Sequence, residues 1–324
     1  MEFNCLIERE SFLLNVKDKI MTICNHSIKY TFDLSLKVLI TWVFREKELN
    51  GFILDDLIVE GDGLNMKKLK LFLGGKITYT GIQIFYCFNG EINISKSKAT
   101  KVCSLINRQT KLKFTCKCFK KSALGIERIH KEIEIQKKAS KNGLAPKIYE
   151  CFESKNCVYL IMETLEQLQD QAFMEEDIML FLYSLIQIIS VLHQENIVHK
   201  SIKKSHIMFS EDNKLKLVGF GKSSNTNIQN NEFRLDIFKV GIIMHKFYQK
   251  QNFQDDQFII SKDGNSLLES LLNWKSNSPL ELKELFSHPY FKLLKSEGIS
   301  LKIQCMNPKF KTRIFQDEEL ESFE

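Results

Sequence analysis

Only four prolines occur in 324 residues, which excludes long polyproline linkers. No apolar run is long enough to span a bilayer; the most compact, Val38 to Phe44, is interrupted by Thr41 and Trp42. The opening residues MEFNCLIERE carry charge too early for a secretory leader. Nine cysteines are present, but none has metal-ligand spacing, and a disulfide framework is not expected in a large chain without a secretory start. A reduced, cytoplasmic setting is the expectation. What remains, 44% hydrophobic and 27% charged residues, is the composition of a soluble globular protein with room for one large domain or two modest ones.

The net charge of +6 is unevenly placed. Residues 1–80 are neutral, residues 81–150 carry +10, and the remainder carries −4. A basic middle segment can face an anionic partner. The plainer reading is a solvated lysine-rich surface. Protein partners are expected, nucleic acid is not, and the sequence leaves the oligomeric state open.

Residues 1–80 alternate apolar and polar positions in short runs: Phe12 to Val16, Lys19 to Cys24, Lys29 to Trp42, Gly51 to Leu57 and Leu69 to Leu73. Turn residues such as Asn25-His26 and Gly61-Asp62-Gly63 separate them, so the segment reads as an antiparallel β-module. Further on, Lys101 to Asn107, Lys113 to Phe119 and Cys157 to Met162 read as strands. Helical periodicity marks residues 126–139, 177–193 and 236–248, with a final pair at 267–272 and 279–288. Strands followed by helices is the order of an α+β fold.

The most informative stretch is Asn196 to Ser224, NIVHKSIKKSHIMFSEDNKLKLVGFGKSS. Its frame His199-Lys200-Ser201-Ile202-Lys203-Lys204-Ser205-His206, a short hairpin, and Gly219-Phe220-Gly221 resembles the H-R-D-L-K-x-x-N and D-F-G signatures of eukaryotic Ser/Thr protein kinases. The helix LDIFKVGIIMHKFY and the ending His288-Pro289-Tyr290-Phe291 resemble further parts of that family. The resemblance covers roughly residues 83–291. It implies a two-lobed fold with a β-rich small lobe and a truncated helical large lobe. By strand order and position, residues 1–80 resemble a degenerate pleckstrin-homology (PH) domain without a clear closing helix. Residues 292–324 read as a charged tail, expected to be disordered.

By the same resemblance, Lys117 and Glu132 correspond to the ion pair that positions ATP phosphates, and Met162 to the gatekeeper. Val102, Thr115 and Met208 would line an adenine slot, which the Thr115 hydroxyl narrows. The glycine-rich loop is replaced by Ser95-Lys96-Ser97-Lys98-Ala99-Thr100, whose side chains obstruct an amide cradle for phosphate. Ser201, His206 and Gly219 stand where the base, the metal-binding asparagine and the metal-binding aspartate belong, while Lys203 is retained. A neutral serine is no general base near pH 7, and imidazole suits a hard cation poorly. The expectation is therefore a catalytically inactive pseudokinase acting as scaffold or regulator, with no metal site and no required cofactor. ATP binding without magnesium stays open. The alternatives are an atypical or weakly active Ser/Thr kinase and a non-catalytic nucleotide sensor. Membrane and phosphoinositide binding are not expected, since Glu8, Glu10 and Asp18 surround Lys17 and Lys19.

Overall fold

The computed structural model describes residues 1–91, 98–168, 174–225, 232–254, 260–273, 282–292 and 294. Its contacts divide into two units, Met1–Lys131 with Lys147–Thr164, and Glu132–Pro146 with Leu165–Glu324.

The first unit begins with seven antiparallel strands, a four-stranded meander β1 (Glu2–Ile7), β2 (Glu10–Lys17), β3 (Ile20–Cys24) and β4 (Lys29–Asp33), then a three-stranded one, β5 (Leu39–Arg45), β6 (Glu48–Leu54) and β7 (Leu57–Glu60). Two of its reversals are two-residue loops with both residues at positive φ, Glu8 (50°) and Arg9 (72°), then Glu46 (49°) and Lys47 (71°). Such turns match the twist of the flanking strands. The last strand returns to the first through Leu6↔Glu60. Alternate residues Phe12, Leu14 and Val16 face the core with Met21, Ile23, Ile40, Trp42, Phe52 and Val59.

A helix, α1 (Gly63–Leu73), follows β7 and buries Met66, Leu69 and Leu73 in this core. Asp62 caps it, its carboxylate accepting from the Asn65 amide at 3.0 Å. Leu69–Leu73 is thus helical rather than extended, and the module does have a closing helix. Five apolar or lysine positions in a row had masked a period-3.6 stripe whose buried members are three or four residues apart.

The chain then forms β8 (Thr78–Tyr79), α2 (Ile82–Phe85), β9 (Tyr86–Glu91), β10 (Thr100–Asn107), β11 (Lys113–Lys120), α3 (Lys121–Leu124), α4 (Ile126–Lys141), β12 (Ile148–Glu153) and β13 (Cys157–Met162). One sheet runs through all thirteen strands in the order β4-β3-β2-β1-β7-β6-β5-β8-β12-β13-β11-β10-β9. The joint is β8, which pairs parallel with β5 (Ile40↔Tyr79) and with β12 (Phe152↔Tyr79). Main-chain pairing therefore continues across residue 80, through a parallel bridge that the alternation of residues 1–80 does not announce. Side chains reinforce the joint. Lys70 of α1 forms an ion pair with Glu150 of β12, and the Tyr86 hydroxyl donates to the other Glu150 oxygen at 2.7 Å. The Lys70 ammonium also lies 4.4 Å from the Phe85 ring centroid.

The second unit contains β14 (Glu166–Gln167), α5 (Glu175–Gln194), β15 (Ile197–Val198), β16 (Ile207–Phe209), β17 (Leu215–Leu217), β18 (Ser224–Asn225), α6 (Phe233–Gln254), α7 (Lys262–Leu272) and α8 (Leu282–Ser287). Helix α5 is apolar and long enough to cross a bilayer, but Phe181, Leu182, Leu185, Ile188, Ile189 and Leu192 are buried in the core instead. Gly241 lets α6 meet α7 closely: a Cβ there would stand 2.9 Å from Leu271 Cβ. His288 caps the turn Pro289–Phe291, Nδ1 accepting from the Tyr290 amide at 3.2 Å, and Tyr290 and Phe291 are buried.

Candidate functional site

The residues singled out by the sequence fall into both units. In the first, Val102 of β10 stands opposite Lys117 of β11, and Thr115 opposite Met162 of β13. Thr115 and Lys117 are two apart and share a face. The Thr115 hydroxyl donates to that of Thr164 at 3.5 Å, while the Lys117 ammonium lies 4.9 Å from the Phe119 ring centroid. Lys98, Ala99 and Thr100 are described at the start of β10; Ser95, Lys96 and Ser97 lie outside the described residues.

In the second unit, Asp236 organises the loop from His199 to His206. Its carboxylate is fully buried on α6. One oxygen accepts from the Lys200 amide at 2.8 Å, the other from the His199 amide at 2.8 Å, with His193 Nε2 at 3.2 Å. Charge-assisted bonds of this kind hold a loop firmly. The His199 ring is fixed from both sides: Nδ1 accepts from the Ser201 amide at 3.3 Å, so Nε2 carries the proton and donates to the Val218 carbonyl at 3.1 Å. Phe220 packs against it with ring centroids 4.8 Å apart.

The three altered positions meet in this frame. Gly219 adopts φ +87°, and a Cβ placed on it would come within 2.7 Å of His206 Cε1 and 2.8 Å of both ring nitrogens. The imidazole therefore fills the space that any side chain at 219 would need. It is held there by a 2.7 Å bond from Nδ1 to the Ser201 carbonyl, in which Nδ1 must be the donor. Ser201 thus meets His206 through its backbone. These residues do not fit a magnesium ion: Gly219 offers no ligand, and the His206 ring, a poor partner for a hard cation, covers it. Among the described residues, no group of three or more His, Cys, Asp or Glu side chains is placed to hold a metal.

The remaining positions are spread around this centre. Lys203 is exposed, and Met208 is buried on β16 opposite Lys216. Glu132 and Gln136 are buried on α4. A Cβ at Gly221 would lie 3.0 Å from Glu132 Oε2, so α4 abuts the Gly-Phe-Gly turn. Asp212, in the β16–β17 hairpin, is held to about 2 by hydrogen bonds from Lys214 and Ser210.

One basic residue proves to have an acid that the sequence did not suggest. The Lys200 ammonium donates to Glu232 at 2.8 Å. Glu232 is 32 residues away and was not anticipated; neither was the part played by His193. A lone Glu or His in these positions has no spacing signature, so only the fold brings them in. Residues 226–231, between the Gly-Phe-Gly turn and α6, lie outside the described residues, as do Pro279 and, apart from Lys292 and Leu294, the tail after Phe291.

Residues 93–239 match the family model described as "Protein kinase domain". Serine/threonine-protein kinase PEPKR2 of Arabidopsis thaliana is 21% identical over 276 residues, covering 70% of this chain and 57% of the relative. A probable serine/threonine-protein kinase PLK of Dictyostelium discoideum is 23% identical over 212 residues, 51% of this chain and 22% of the relative. Dual specificity protein kinase zak2 of the same organism is 35% identical over 78 residues, 24% and 12%. The chain spans less than two thirds of the length of each. Together these matches support a protein-kinase-like protein with a kinase-like α+β fold.

Proposed function

We propose that this chain is a eukaryotic protein kinase family member whose kinase-like region, about residues 83–291, is a pseudokinase: a scaffold or regulatory module that does not transfer phosphate. The observation that carries the reading is the His206 ring packed onto Gly219. Phosphoryl transfer depends on metal ions that neutralise charge between the phosphates and on a carboxylate that orients the substrate hydroxyl. Here both metal-ligand positions are altered together, and the two changes fit each other sterically. Ser201 supplies no carboxylate either. The scaffold that survives, Asp236 with His199 and Phe220, has a packing role that a binding module would also need.

The four- and three-stranded meanders joined at Leu6↔Glu60 and followed by α1 favour a PH-like reading of the first 80 residues. The tight Glu8-Arg9 reversal leaves no basic loop between β1 and β2, which favours protein partners over phosphoinositides and fits a cytoplasmic setting. An active Ser/Thr kinase is the second reading, favoured by the intact loop scaffold and by relatives named as kinases. A thermal-shift titration separates the readings. The pseudokinase predicts no magnesium- or manganese-dependent shift with ATP and no radiolabel transfer from γ-labelled ATP to a peptide. Metal-dependent transfer that is lost in Lys117→Ala would establish the kinase instead. A shift by ATP that needs no metal would mark a nucleotide sensor.

A further inference from the structure

One side of the sheet formed by β9, β10, β11 and β13 enters the core of the first unit at Leu105, Cys116 and Ile161, and the part of that side beyond them carries a surface that none of the roles above uses. Residues directly opposed in antiparallel pairs share a face. The registers Cys103↔Cys116, Lys101↔Cys118, Cys118↔Tyr159 and Lys120↔Cys157 therefore put these side chains on one side. Cys116 belongs to that core and Tyr159 packs against it, while Cys103, Cys118 and Cys157 are half-buried and Phe88 is 51% exposed. The Phe88 and Tyr159 rings lie 6.2 Å apart, so β9 turns the same apolar side outward. Lys101 and Lys120 are exposed at the margin, as is Lys155 in the β12–β13 turn. A floor of thiols and aromatic rings with a lysine rim matches a segment that carries carboxylates and large apolar side chains together. A purely anionic ligand would use the rim and leave the floor uncovered.

The sequence contains such a segment. Residues 315–324, FQDEELESFE, hold Asp317, Glu318, Glu319, Glu321 and Glu324 with Phe315, Leu320 and Phe323, and no basic residue. They lie outside the described residues. The stretch from Leu294, the last described residue, to Phe315 reaches about 70 Å when extended. We propose that this acidic segment docks on the lysine-rimmed face of β10, β11 and β13 of its own chain, its carboxylates at the rim and its rings on the thiol floor. Two of the rim lysines, Lys101 and Lys120, come from the basic stretch 81–150, so part of the charge asymmetry of the sequence then has a use.

Alkylation of the full chain by N-ethylmaleimide, followed at each cysteine by mass spectrometry, tests this. Cys103 and Cys157 report on the face, and Cys24 of β3 is the internal standard. The Cys118 thiol, pushed up to about 12 by burial and by Cys157 beside it, reacts too slowly to serve. Cys103 and Cys157 should react about fivefold slower than in a variant carrying Asp317→Lys, Glu318→Lys, Glu319→Lys and Glu321→Lys. That factor follows when a tethered segment at an effective concentration on the order of 1 mM has an intrinsic Kd of about 0.25 mM. Salt at about 0.5 M should abolish the difference. Lys101→Glu with Lys120→Glu and Lys155→Glu should do so too; if that variant fails to fold, the acid-reversed one decides alone. Equal rates at low salt in the unchanged and acid-reversed chains overturn the proposal. So does protection that grows with protein concentration, which would assign the face to a second copy.

Discussion

Placing an aspartate at position 219 is the most direct test of how the loop is built. Gly219→Asp places a Cβ at 2.7–2.8 Å from three atoms of the His206 ring, well inside van der Waals contact. The ring cannot yield freely, because Nδ1 is bonded to the Ser201 carbonyl at 2.7 Å. Overpacking of this kind costs about 1–3 kcal/mol. The backbone at φ +87° adds about 1 kcal/mol for a residue with a Cβ. Gly219→Asp alone should therefore destabilise by about 2–4 kcal/mol. His206→Asn alone should cost about 1 kcal/mol, the worth of its hydrogen bond. With Asn at 206 the steric part disappears, so the double variant should be more stable than the sum of the single effects by about 2 kcal/mol, a coupling well above the scatter of independent sites. Urea unfolding of the four proteins measures the cycle. Additivity within about 0.5 kcal/mol would refute the argument that His206 and Gly219 fit each other.

Other perturbations follow from the same geometry. Adding Ser201→Asp to His206→Asn and Gly219→Asp should create a magnesium-dependent thermal shift with ATP that the natural chain lacks; absence of any gain would mean that more than these three positions blocks the metal. Glu150→Ala leaves Lys70 unpaired at the joint beside β8 and should cost about 3–5 kcal/mol in denaturant unfolding, whereas Tyr86→Phe, which removes one hydrogen bond to Glu150, should cost about 1 kcal/mol. Asp236→Asn keeps one of two acceptor oxygens and should cost about 2–3 kcal/mol, with faster amide exchange at His199 and Lys200 as the local sign. Asp212 has a folded pKa held down to about 2 from 3.8. Its contribution is complete above pH 3.8 and disappears as pH falls through 2; NMR titration should place its midpoint there, and Lys214→Ala should move the midpoint up.

Much of this protein could be read from residue order alone. The helices expected at 126–139, 177–193 and 236–248 and the strands expected at 101–107 and 157–162 fall within α4, α5, α6, β10 and β13, because burial on one face leaves a regular apolar record. The frame from His199 to Gly221 was legible for a different reason: its residue types stand in a fixed order at short separations along the chain. The same text already showed that Ser201, His206 and Gly219 carry no carboxylate. Local pattern failed at Leu69–Leu73, where Lys70 between apolar residues hid a helix, and at β8, whose two residues are too few to carry any pattern.

Tertiary structure alone decided the rest. That Gly219 and His206 are one change rather than two depends on a ring crossing from residue 206 to residue 219. The partners Lys200 and Glu232, Lys70 and Glu150, and Asp236 and His193 are 32 to 80 residues apart, and no spacing rule links them. Continuity of the thirteen-stranded sheet rests on main-chain pairing at Thr78 and Tyr79, to which side-chain type is nearly indifferent. Sequence records which groups a residue can bond and which face it hides; which distant group it meets is set only when the chain closes on itself.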